Sequence, residues 1–172
     1  RVAVNVSYRQ FLTEDLVQTI AHALAEHGLP GSSLELEFTE RVLIEDAPDT
    51  HATFEALRNL GVVLTIDDFG EGYSALNYLR RLPIHGLKLA QSFLQGVPGN
   101  PSDVAICQAV AGIARGLGLE VVAEGIEGTA QRDFLLGLGI RSGQGFLFSP
   151  GLEPDNFIAH LRQVGLYDAE AP

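Results

Sequence analysis

The sequence predicts an α/β fold, a (β/α)8 TIM-like barrel with about six of its eight β-α units in this chain. Three observations carry that reading. Strand-like and helix-like segments alternate along the whole 172 residues, the pattern of parallel strands covered by helices. Asn5, Glu37, the pair Asp67-Asp68, Lys88, Glu124 and Gln144 each fall on or at the end of a different predicted strand. Counted through Asp67, their separations are 32, 30, 21, 36 and 20 residues, close to one β-α unit each, and in a barrel such strand ends converge on one face. The first strand runs into Asn5-Val6-Ser7-Tyr8, without the glycine loop that opens a dinucleotide- or phosphate-binding sheet.

Each element has its own signal. Val2-Ala3-Val4-Asn5-Val6 reads as the first strand. A helix is expected from about Thr13, with Glu14 and Asp15 in its first turn, ending at Gly28-Leu29-Pro30. From Leu34 to Glu40 the chain alternates, with Leu34, Leu36 and Phe38 on one face and Glu35, Glu37 and Thr39 on the other. In a barrel covered by helices the polar face is the inner one, so Glu37 points inward. A helix over about Asp49 to Leu60 follows, then a strand over 62–67, a short helix over 74–81 and a strand over 86–89. A long helix starts at Ser102, its apolar stripe formed by Ile106, Val110, Ile113 and Leu117. A strand over 120–124, a helix over 129–137, a strand over 143–148 and a helix over 154–164 complete the order. The barrel type usually needs about 250 residues, so two strands are expected upstream.

The chemistry concentrates at Leu64-Thr65-Ile66-Asp67-Asp68-Phe69-Gly70. Two adjacent carboxylates repel, and a cation between them relieves the repulsion. Neighbouring strand residues point to opposite faces, so both aspartates reach one site only if the strand breaks at Asp68. Oxygen donors from Asp, Glu and Asn suit hard divalent ions. Singly, each residue has a plainer reading. Asp67-Asp68 could cap a turn, Glu37 and Lys88 could be solvated, and Glu124 could end a strand before Gly125. Their joint placement on strand ends favours a metal site.

Composition bounds the partners. Net charge is −11 and hydrophobic residues make up 46%, so the chain is globular and poorly suited to nucleic-acid polymers or an anionic membrane surface. No apolar run reaches the roughly 20 residues of a membrane span. One cysteine, Cys107, excludes an internal disulfide and fits the cytoplasm. The five histidines show no zinc spacing. The absence of methionine reads as a piece of a longer protein.

Asn-Val-Ser (5–7), Glu-Phe-Thr-Glu (37–40), Asp-Asp-Phe-Gly-x-Gly-Tyr-Ser (67–74), Lys-x-x-x-Ser-Phe (88–93), Ala-Glu-Gly-Ile-Glu (123–127) and Gln-Gly-Phe (144–146) occur in this order. Together they resemble the EAL domain family of cyclic di-GMP phosphodiesterases. The resemblance implies a two-metal site for Mg²⁺ or Mn²⁺ and hydrolysis of cyclic di-GMP to the linear dinucleotide. It implies Asn5, Glu37 and Asp67 as ligands of one metal, with Asp67 bridging to a second held by Asp68 and Glu124. It places Lys88 near the attacking water and the phosphate, and Gln144 beside the water or substrate. Glu40 and Glu127 become supports, Glu40 for the loop after Asp68. It also implies a homodimer through the barrel and an upstream sensory or GGDEF domain in a parent protein, which could itself be membrane-anchored.

The match has gaps. The family's Glu-Ala-Leu motif is absent from these residues and is expected upstream of Asn5. Ala90 and Gln91 replace the acidic and basic residues usual after the lysine, Glu71 stands where Thr is usual, and Ala75 stands where Ser is usual. Competing functions are a receptor that binds cyclic di-GMP without cleaving it, a regulatory or dimerisation module, and an enolase-like Mg²⁺ barrel with a lysine base. The retained ligand set favours the phosphodiesterase, with impaired catalysis expected for the 172 residues alone.

Overall fold

The computed structural model describes residues 1–13, 15–44, 50–70 and 79–164. Six strands form one sheet in chain order: β1 Val2–Val6, β2 Leu34–Thr39, β3 Val63–Phe69, β4 Gly86–Leu89, β5 Glu120–Ala123 and β6 Ser142–Gly143. Every neighbouring pair is parallel, so all C-terminal strand ends lie along one rim. The helices between them are α1 Tyr8–Phe11, α2 Leu16–Glu26, α3 Arg41–Ile44, α4 Thr50–Asn59, α5 Pro101–Leu117, α6 Thr129–Gly137 and α7 Pro154–Gln163. The predicted helix over 74–81 falls largely outside the described residues.

The alternation in β2 sorts its two faces as expected. Leu36 and Phe38 are fully buried on the helix-covered side, where Phe38 packs within 5.0 Å of the Phe54 ring of α4 and 5.7 Å of Phe11 of α1. Leu64, Ile66, Leu87 and Leu89 continue this apolar layer across β3 and β4. The opposite face is polar and layered. Thr65 Oγ donates to Glu35 at 2.6 Å, and Arg1 donates to the second Glu35 oxygen at 3.1 Å. Asn5 lies beside Glu37, and Glu37 beside Thr65, in strand register.

Helix boundaries follow capping chemistry. Ser7 accepts from the Gln10 backbone at 3.3 Å while the Gln10 side chain accepts from the Ser7 backbone at 3.0 Å, a reciprocal cap that starts α1. α5 begins at Pro101 behind Asn100, whose side chain accepts from Ser102 N–H at 2.9 Å. It ends at Gly118 in the left-handed conformation, φ 70°.

One predicted element is shorter than expected. The strand over 143–148 is reduced to Ser142–Gly143, and residues 146–148 form a turn. Gly145 lies so close to β5's exit that a Cβ there would sit 2.2 Å from the Ile126 nitrogen. From that point Phe148 N–H bonds back to the Gly145 carbonyl at 3.0 Å, which closes a turn instead of extending a ladder.

Candidate metal centre

β3 carries the irregularity that two inward aspartates require. Its register against β4 shifts between Ile66 and Phe69, and Asp68 has φ 51°. Positive φ is uncommon for a residue with a side chain, though aspartate tolerates it better than most. The extra residue is a bulge. It leaves Asp67 facing inward and returns Phe69 to the apolar side, opposite Leu89. Asp68 N–H then donates to Asp67 Oδ1 at 3.0 Å, which holds the Asp67 carboxylate, and the two side chains offer oxygens within 4.8 Å of one another.

Lys88, on β4, is the centre of the site. Its Nζ lies 2.6 Å from Glu124 Oε1, 2.8 Å from Glu37 Oε2 and 3.1 Å from Asp67 Oδ1. Lys88 is 5% exposed and Glu37 7%. Burial by itself disfavours the ammonium, but the hydrogen bonds to Glu124, Glu37 and Asp67 outweigh it and hold the Lys88 pKa above the usual lysine range. Glu124 is pushed above the usual carboxylate range by burial, with Asp67 and Asp68 adding to the push and Lys88 opposing it. Gln144 donates to the same Glu124 oxygen at 2.7 Å.

Asp67, Asp68 and Glu124 each offer one oxygen within 4.8 Å of the others. All the donors are hard oxygens, and the span suits one ion or a close pair of ions bridged by a carboxylate. The residues present therefore fit Mg²⁺ or Mn²⁺ by donor type and by spacing. A cavity of about 440 Å³ adjoins them, lined by Asp68, Glu124 and Gln144 together with Gln91, Ser92 and Gln95.

The structure thus gathers Glu37, Asp67, Asp68, Lys88, Glu124 and Gln144. Asn5 is on the neighbouring strand, in register with Glu37, and is exposed at the edge of the sheet. Glu40 is buried just beyond β2; the loop it is expected to anchor, 71–78, lies outside the described residues. Glu71 and Ala75 lie there too. Glu127 bonds to Gln91 at 3.4 Å, out on the surface. Ala90 follows β4 directly and is 1% exposed.

With the rim geometry established, comparison with known families decides the membership. The EAL domain model matches residues 1–151. The chain belongs to the EAL domain family. Among curated relatives, the cyclic di-GMP phosphodiesterase NbdA of Pseudomonas aeruginosa is 46% identical over 172 residues, covering 100% of this chain and 22% of NbdA. The structure of the MucR phosphodiesterase in complex with c-di-GMP is 41% identical with TM-score 0.87, over 91% of this chain and 64% of that one. The Klebsiella pneumoniae BlrP1 complex with manganese and cy-diGMP is 32% identical with TM-score 0.80, over 87% of this chain and 38% of that one. The chain spans about a fifth of the length of the curated relatives it matches. The six parallel strands are accordingly part of an EAL barrel. No helix among the described residues is long and apolar enough to cross a membrane.

Two features of this EAL domain escaped the sequence reading. Gln131 braces the segment after Glu124, and its signal was its place three residues after Gly128, at the third position of α6. The Lys88 network was visible only as separate strand-end residues, since nothing in a sequence reports that three carboxylates share one ammonium.

Proposed function

We propose that this domain is a metal-dependent cyclic di-GMP phosphodiesterase that hydrolyses the cyclic dinucleotide to its linear form. The observation that carries the reading is the convergence of Glu37, Asp67 and Glu124 on Lys88, with Asp68 within reach of Asp67 and Glu124. The naming of NbdA as a cyclic di-GMP phosphodiesterase, and the cyclic dinucleotide bound in MucR and BlrP1, supply the substrate.

Asn5, Glu37 and Asp67 would hold one divalent ion, and Asp67, Asp68 and Glu124 a second, Mg²⁺ or Mn²⁺ in either place. When bound, such ions supply activation of water and neutralisation of phosphodiester charge. The chain's own groups do the rest. Lys88 keeps a fixed positive charge at the centre of the site, where the anionic phosphodiester needs it. Gln144 fixes the Glu124 carboxylate through its 2.7 Å hydrogen bond. The buried Glu37 cannot swing out to solvent, so its oxygens stay aligned. Glu40 and Glu127 support the segments beyond β2 and β5. The domain is assigned to the cytoplasm and to a homodimer through the barrel, and MucR, named a bifunctional diguanylate cyclase and phosphodiesterase, supports a sensory or GGDEF domain in the parent protein.

Full-length protein incubated with cyclic di-GMP and Mn²⁺ tests this, with chromatography of the products. The expected result is the linear dinucleotide, abolished by a chelator; intact cyclic di-GMP under saturating Mn²⁺ refutes it. A second reading, binding without cleavage, draws on Ala90, a buried alanine beside Lys88 where the family usually carries an acid. Tight nucleotide binding with no product would select that one.

A further inference from the structure

Glu124 sits at the head of a short crossing, residues 124–128, between β5 and α6. Its carboxylate meets Lys88 and Gln144, but nothing in that contact fixes the backbone behind it. Three side-by-side contacts do. Glu124 N–H donates to the Leu89 carbonyl at 3.1 Å, and Ile126 N–H to the Gln144 carbonyl at 3.0 Å. Gly125, at φ 69°, lies under the Gln91 side chain so closely that a Cβ there would be 2.3 Å from it. These hold the near end of the crossing against β4 and β6.

At the far end, besides the long 3.4 Å bond from Gln91 to the Glu127 side chain, the contacts come from Gln131. Gln131 Oε1 accepts from Glu127 N–H at 2.8 Å and from Gly128 N–H at 3.0 Å. Its Nε2 donates to the Leu94 carbonyl at 2.7 Å. Leu94 is fully buried, so this carbonyl is a fixed point of the core. The amide therefore does two things. It satisfies the N–H groups of the two residues that lead into α6, as a residue at the third helical position can, and it ties them to the turn that follows β4. The strand bearing Lys88 and the segment bearing Glu124 are thereby linked a second time, outside the site.

We propose that Gln131 is a positioning residue for Glu124. By clamping residues 127 and 128 to Leu94, it fixes the far end of the crossing and so limits where the Glu124 carboxylate, at its head, stands relative to Asp67 and Asp68. The inference rests on the metal-centre reading above and adds a residue that touches neither metal donors nor substrate.

Calorimetry of Mn²⁺ binding to the full-length protein tests it, with thermal melting of each variant alongside. Gln131→Ala is compared with Leu138→Ala, which weakens the other end of α6, where Leu138 packs against the core, without touching residues 94, 127 or 128. Gln131→Ala is expected to weaken Mn²⁺ binding about 10-fold, the scale of lost supporting contacts around a metal. Leu138→Ala should leave the affinity within about twofold whatever its melting temperature. Wild-type affinity in Gln131→Ala, or losses in both variants that track their melting temperatures, overturns the positioning role while leaving the metal centre standing. No Mn²⁺ uptake by the wild type overturns both. If Gln131→Ala does not fold, Gln131→Asn, one methylene too short to reach Leu94, takes its place under the same criterion.

Discussion

Lys88→Met removes the positive charge at the centre of a site built of carboxylates. In the wild type the ammonium touches Glu37, Asp67 and Glu124 at 2.8, 3.1 and 2.6 Å and is 5% exposed. Breaking a buried ion pair by deleting one partner costs about 3–5 kcal/mol, because the other charge stays buried and unpaired. Here three partners are left, so the upper part of that range applies without metal. At about 2–4 °C per kcal/mol for a domain of this size, the upper part of the range, about 4–5 kcal/mol, lowers the melting temperature by roughly 8–20 °C in chelator. The pH dependence has a definite sign. Lys88 has its folded pKa raised above the ordinary 10.5, so its stabilisation is fully present below that value and is lost only as pH rises through the folded one. Wild type therefore keeps the contribution throughout the neutral range. In the variant, acidification protonates Glu124, whose pKa burial already holds above the usual carboxylate range, and relieves its repulsion by Asp67 and Asp68, so the gap between wild type and variant narrows as pH falls. Adding Mn²⁺ should narrow it as well. Thermal melting with chelator, at neutral and mildly acidic pH, measures both effects. A fall of less than about 1 kcal/mol, independent of pH, would show that the three carboxylates do not depend on Lys88.

Other consequences are simpler to state. Gln144→Ala, which strips the hydrogen bond from Glu124, should weaken Mn²⁺ binding about 10- to 100-fold by calorimetry. His85 Nδ1 accepts from Leu64 N–H at 3.1 Å, and burial, then Arg58 and Arg1, depress its pKa below 6.5. Its contribution to stability is then present above the ordinary value and lost as pH falls through the depressed one; an NMR titration should find the ring less than half charged at the pH where a free imidazole is half charged. Cys107 is fully buried, and burial pushes its thiol up to about 11. Alkylating reagents should leave it unmodified in the native protein at mildly alkaline pH and label it on unfolding. Gly145→Ala, with its Cβ 2.2 Å from the Ile126 nitrogen, should destabilise the domain by about 1–3 kcal/mol in a denaturant titration.

The fold was legible because helix and strand periods alternate cleanly. The inward face was legible because charged residues sit where a barrel lining should be. Glu37 between Leu36 and Phe38 is the clearest case: a buried acid flanked by fully buried apolar residues can only face a polar interior. The bulge at Asp68 followed from the need to bring two adjacent carboxylates to one place. What escaped was set by contacts distant in sequence. The end of β6 depends on Gly145 meeting Ile126, and the clamp at Gln131 depends on the Leu94 carbonyl, 37 residues away. α1 was not predicted, although Ser7 and Gln10 have the spacing of a reciprocal cap. Its shortness, one turn directly after a strand, hides it from periodicity.

The central claim is that this rim of strand ends is a metal centre organised by Asp67. Calorimetric titration of Mn²⁺ into the full-length protein, wild type against Asp67→Asn, tests it most directly. Asp155→Asn, an exposed acid in the first turn of α7, serves as the control for nonspecific charge. The account predicts saturable binding in the wild type and in Asp155→Asn, weakened at least about 100-fold in Asp67→Asn. Equal binding in all three proteins, or none in the wild type, would contradict it.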